Sequence, residues 1–103
     1  MNDNIISVYS LEQAIEDGVL TKPFGSDVSG QVDNKPIVAT SHLFNEVSYP
    51  ELRKIWDKFI IWRKEVMPTL PEEDRMFSTL VNGEKVWVDE TENQVTLMYP
   101  SDY

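Results

Sequence analysis

The sequence predicts a single α+β domain: a short N-terminal helix, one long amphipathic helix and a C-terminal antiparallel β-meander. Three observations carry that expectation. Apolar residues recur at helical spacing through Leu52, Ile55, Trp56, Phe59, Ile60 and Val66. An Asn82-Gly83 pair stands between segments rich in Val, Trp, Phe and Thr, the strongest short-range hairpin signal. Finally, 103 residues with 41% apolar and 11% aromatic content suffice for one core without staples. Helical and strand patterns segregate along the chain, as in α+β folds.

In chain order, Ile5 to Tyr9 reads as an extended entry. Ser10 and Gln13 have capping-box spacing, Leu11, Ala14 and Ile15 share a face, and Gly18 is a helix stop. Val19 to Thr21 reads as a short strand. Residues 22–36 form a flexible loop, with two Gly and two Pro among Ser, Asp and Asn. Pro36 to Ala39 read as extended. Thr40 or Ser41 then caps a short helix that buries Leu43, Phe44 and Val47.

The long helix spans about 50–66, with Ser48 and Glu51 at capping-box spacing, Pro50 in the first turn, and Pro68 and Pro71 beyond its end. Trp62 lies off the main apolar stripe, as a second packing face or an exposed anchor. Residues 69–74 form a turn, possible as one helical turn. Two readings stand for 72–82: a strand leading into the Asn82-Gly83 turn, or a helix ended by Gly83. Asp89 to Asn93 read as a polar turn, and Val95 to Tyr99 as the last strand.

Charge narrows the functional classes. Eighteen acidic against nine basic residues give a net charge of −9. Five of the nine basic residues lie in the long helix, against three acids there, so the rest of the chain carries about −11. That balance opposes direct binding to nucleic acid or anionic membrane, which needs clustered Lys and Arg. It suits a partner protein with a basic surface, such as a nucleic-acid-binding groove. The absence of cysteine excludes disulfides, thiolate metal sites and cysteine nucleophiles. No apolar run approaches the roughly 18 residues needed to span a bilayer, and MNDNIISVYS lacks a secretion-signal pattern. A cytoplasmic protein is the expectation.

Little in the chain points to catalysis. His42 is the one imidazole, beside Leu43 and Phe44, and reads as structural. Nucleotide-binding, hydrolase and metalloprotease motifs are missing. The Glu72-Glu73-Asp74 and Asp89-Glu90-x-Glu92 runs lack calcium-loop spacing. The expectation is a non-enzymatic protein without cofactor or metal. Its acidic face would consist of Glu72, Glu73, Asp74, Glu84, Asp89, Glu90 and Glu92, imitating phosphate spacing. The alternatives are a small-molecule or nucleotide-sequestering pocket rimmed by Trp56, Trp62 or Trp87 and the 22–36 loop, or a subunit of an oligomer.

Two segments carry a resemblance. Ala14-Ile15-Glu16-Asp17-Gly18-Val19-Leu20 and Met98-Tyr99-Pro100-Ser101-Asp102-Tyr103 resemble the AIEDGVL-like and MLPEDY-like motifs of a small uncharacterised family of phage, plasmid and mobile-element proteins. With their flanks they cover about a fifth of the chain. The closing segment departs from the motif at Tyr99 and Ser101. The resemblance implies an origin in a mobile element and, by association, an inhibitor of host defence of the anti-CRISPR or anti-restriction kind.

Overall fold

A computed structural model describes residues 11–25, 28 and 32–102. Its described elements are α1 (Leu11–Glu16), β1 (Leu20–Thr21), β2 (Ile37–Thr40), α2 (Ser41–Glu46), α3 (Tyr49–Glu65), β3 (Phe77–Val81), β4 (Glu84–Glu90) and β5 (Val95–Met98). Among the described residues, 3₁₀ turns also lie at Met67–Thr69 and Glu72–Asp74, between α3 and β3, and at Pro100–Asp102, after β5. This is a small α+β domain. No helix among the described residues is long and apolar enough to cross a membrane.

The five strands form one mixed sheet in the order β1-β2-β5-β4-β3. The meander β3-β4-β5 is antiparallel, β2 pairs parallel with β5, and β1 pairs antiparallel with β2. The last strand is therefore central in the sheet. Its parallel partner lies 58 positions earlier, Ile37 opposite Val95, a pairing that local patterns cannot announce.

Alternation decides what each face does. Val86 and Val88 of β4, with Val95 and Leu97 of β5, point to the side where α3 buries Leu52, Ile55, Trp56 and Phe59. No polar or charged residue is buried among the described ones, so this core carries no desolvation penalty from a trapped charge. Val28 and Val32, inside the predicted 22–36 loop, are 2% and 0% exposed and belong to the same core. Residues 26, 27 and 29–31 of that loop lie outside the described residues, as do Ser10 and the extended entry at Ile5 to Tyr9.

Several local expectations are met by backbone geometry. Gly18 has φ +78° and Gly83 φ +83°, with Asn82 at φ +53°, as a two-residue turn with both residues left-handed requires. The Thr40 hydroxyl caps α2 by accepting from the Leu43 N–H. The strand reading of 72–82 holds and the helical one does not, since only Glu72–Asp74 make a single 3₁₀ turn before β3 begins.

Other expectations are corrected. Phe44 is 40% exposed, because Leu43 and Val47, four residues apart, take the inward stripe of α2 and Phe44 falls to its side. Val66 is 41% exposed, since it is the C-cap residue where α3 gives way to a 3₁₀ turn. Ser48 makes no cap bond to backbone; its hydroxyl donates to the Glu51 carboxylate at 3.3 Å. The polar turn after β4 begins two residues later than expected, because Asp89 and Glu90 continue the strand opposite Thr96 and Val95.

Candidate functional site

Three segments converge at the C-terminal end of α3. The last turns of the helix present Phe59, Trp62 and Arg63. Pro68 cannot continue the helix, so the chain reverses, with the Thr69 hydroxyl donating to the Val66 carbonyl at 2.6 Å. Arg75 Nε donates to the Leu70 carbonyl at 2.9 Å, fixing the following bend. Across from it, the turn after β4 is held by Thr91, whose N–H donates to the Gln94 carbonyl at 2.9 Å. Between these walls lies an open groove of about 510 Å³. Phe59, Trp62, Met67 and Val88 make its apolar floor, while Lys35, Glu72, Arg75, Glu90, Thr91 and Glu92 make its rim.

Glu90 anchors this region. Its position continues the inward face of Val86 and Val88, one step beyond the core, where α3 offers Arg63. Arg63 donates from Nε at 2.7 Å and from Nη2 at 2.8 Å, and Lys35 Nζ donates at 2.7 Å. Arg63 Nη2 also reaches Asp33 at 3.1 Å. The Arg63 hydrogen bonds above all, with Lys35 adding to them, hold the Glu90 carboxyl at a pKa of about 2, against the effect of its burial. In return Glu90 raises the pKa of Arg63.

The seven acids singled out from the sequence do not share one face. Glu72 stands exposed on one wall of the groove and Glu92 on the other, while Glu73 and Asp74 are exposed in the same 3₁₀ turn as Glu72 without lining it. Glu90 lies between them but is occupied by two cations. Asp89 points to the opposite side of the sheet, where burial raises its pKa. Glu84 begins β4 at the hairpin, about 20 Å of strand away from Glu90.

The three tryptophans also separate. Trp56 is 0% exposed, its ring 5.5 Å from Phe24 and 5.3 Å from Phe59, so it cannot rim a pocket. Trp87 lies on the face of β4 opposite the α3 core, across from Ser78 and Met98. Trp62 is the one that lines the groove. It is half-buried, stacked on Phe59 at 6.1 Å and tilted against Phe77 at 5.6 Å. It thus packs and presents an edge at once. From the 22–36 loop, Lys35 reaches the same groove.

A second cluster escaped the sequence reading. His42 Nδ1 faces Asp102 Oδ1 at 3.0 Å, and its Nε2 faces Glu46 at 3.3 Å. Tyr99 donates its hydroxyl to Glu46 at 3.0 Å, and its ring lies 4.7 Å from the imidazole. Asp102 also accepts from the Thr40 hydroxyl at 2.8 Å and from the Tyr99 N–H at 3.3 Å. The hydrogen bond that His42 donates to Asp102 raises the pKa of His42. The hydrogen bonds from His42, Thr40 and the Tyr99 backbone outweigh desolvation and lower that of Asp102. Burial first, then Glu46, pushes the Tyr99 phenol up to about 12. The His42–Glu46 spacing was visible in the sequence; Asp102, 60 positions away, was not.

Both resemblance motifs meet at this point. The Ser41 N–H donates to the Val19 carbonyl at 3.0 Å, and the Ser41 hydroxyl donates to the Gly18 carbonyl. Thr40 and His42, on either side, bind Asp102. The two motifs clamp the start of α2, one from each end of the sequence. No family model, curated protein or solved structure matches the chain.

Proposed function

We propose that this is a non-enzymatic binding protein that docks a basic protein partner in the groove at the end of α3. One observation carries the reading: exposed carboxylates stand on both walls of a groove with an aromatic and methionine floor. Such a floor accepts an apolar anchor, while Glu72, Glu73, Asp74 and Glu92 select lysines or arginines around it. Met67 adapts to irregular partners. The non-enzymatic part of the reading rests on the sequence, in which no catalytic motif surrounds His42 or any serine. The resemblance to phage and plasmid proteins favours a nucleic-acid-handling host protein as the partner, inhibited in the anti-CRISPR or anti-restriction manner inside the bacterial cytoplasm.

The test is a pull-down from nuclease-treated bacterial lysate, repeated in high salt. The expected result is a basic protein that is retained at low salt and lost at high salt. Reversing Glu72, Glu73 and Asp74 together to lysine abolishes retention, and Trp62→Ala weakens it at least about tenfold, as for a central interface aromatic. Retention indifferent to salt and to these changes sinks the proposal.

A second reading has its own support. The groove volume lies in the range of small-molecule sites, and Trp62 offers a ring edge against which a base can pack. A thermal-shift screen with nucleotides distinguishes the two, since a bound ligand raises the melting temperature by mass action.

A further inference from the structure

We infer that the free edge of β3 is a docking strip for an extended acidic segment of a partner protein. β3 ends the sheet order, pairing with β4 alone. The two-residue turn at Asn82-Gly83 makes Val81 and Glu84 a hydrogen-bonded pair, so Thr79 and Phe77 also bond inward to β4. Ser78 and Leu80 therefore turn their N–H and C=O groups outward. Among the described residues nothing pairs with them, and Leu80 is 66% exposed.

Charge names the occupant. A cleft of about 140 Å³ runs between the hairpin end of β3 and α3, bordered by Lys54, Lys58, Ile55, Leu80 and Val81. Lys54 and Lys58 are one helical turn apart, and Lys85 stands directly across from Leu80, beside it on the face of the sheet away from α3. None of the three lysines has an ion-pair partner among the described residues, in a chain of net charge −9. Glu51 also borders the cleft and keeps its charge while accepting from the Ser48 hydroxyl at 3.3 Å, so the two lysines leave the cleft with one net positive charge.

An added strand would meet main-chain partners at Ser78 and Leu80 and alternate its side chains between the two faces. Carboxylates fit the side facing Lys54 and Lys58, and aliphatic groups fit beside Leu80. A second copy of this chain is a poorer occupant. Pairing β3 with its own copy about a two-fold axis would set Lys54 and Lys58 against the same lysines, and like charges across a sheet edge repel.

This strip lies at the hairpin end of β3, whereas the groove at the end of α3 lies beside Phe77, so the two inferences fail separately. The probe is a synthetic peptide of about six residues alternating glutamate and valine, titrated into the full ¹⁵N-labelled chain. The expected result is saturable binding with slowed hydrogen exchange at the Ser78 and Leu80 amides. Lys54→Glu with Lys58→Glu weakens it at least about tenfold, while Lys22→Glu with Lys64→Glu, or reversal of Glu72, Glu73 and Asp74, leaves it unchanged. A lysine–valine peptide does not bind. Absence of binding, protection elsewhere, equal binding of both peptides, or a β3-mediated dimer seen by native mass spectrometry overturns the inference.

Discussion

His42 and Glu90 show how one side chain ties distant parts of this chain together, and each imposes a pH dependence of opposite sign. The folded pKa of His42 is raised above 6.5 because carboxylates meet both ring nitrogens. Its contribution to stability is complete below about pH 6.5 and is lost as the pH rises through the folded value. The melting-temperature difference between the native chain and His42→Gln is thus expected to be larger near pH 6 than near pH 9. A difference that grows toward alkaline pH contradicts this. Glu90 behaves in reverse, with a folded pKa of about 2 against an ordinary 4.5. Its contribution is full above about pH 4.5 and is lost as the pH falls toward 2. Glu90→Gln should cost on the order of 1–3 kcal/mol at neutral pH, the scale of charged hydrogen bonds lost, with the deficit closing in acid; urea melts at several pH values measure it. Neither residue announced its role in the sequence, because Asp102 and Arg63 reach them only through the fold. By sequence alone Glu90 belongs with the solvent-facing acids, and only the strand register turns it inward.

At the scale of elements, the segments read best were those whose ends are set by local chemistry. The Asn82-Gly83 turn needs two left-handed residues, and the pair supplies them. Gly83 has open space where a Cβ would go, so Gly83→Ala should cost only the backbone penalty, about 1–2 kcal/mol. Gly18 is in the same position, and Gly18→Ala should cost a similar amount. A near-neutral result for either in denaturant melts would mean that the turn relaxes. α3 was equally plain from its apolar stripe. Trp56→Ala should cost about 3–5 kcal/mol, as expected for a fully enclosed aromatic, and Trp62→Ala distinctly less, since Trp62 is only half-enclosed. Phe44 and Val66 depart from the sequence expectation because a short helix and a helix end offer an apolar residue no guaranteed inward direction. The groove itself was invisible from the sequence, since its walls come from residues 35, 59–75 and 88–92.

Over the whole molecule, charge is distributed unevenly. Paired ions stitch Lys35, Arg63 and Glu90 together, exposed acids line the groove, and lysines that have no ion-pair partner among the described residues border one sheet edge. With a net charge of −9, self-repulsion among exposed acids opposes compaction. Raising the salt from about 20 to 300 mM shortens the screening length from roughly 20 to 6 Å, so the melting temperature should rise. A fall would show that the partly buried pairs around Glu90 outweigh the repulsion. The sheet order has a consequence in time. β5 lies between β2 and β4 but is translated after both. During synthesis the β3–β4 hairpin and the β1–β2 ribbon can form as separate pieces, each with an open side awaiting the same strand. Only when residues 95–98 leave the ribosome can the two halves be zipped into one sheet. A chain stalled before that point holds two sticky ribbons rather than a smaller version of the protein, and the vulnerable moment of its life is the interval before its final strand arrives.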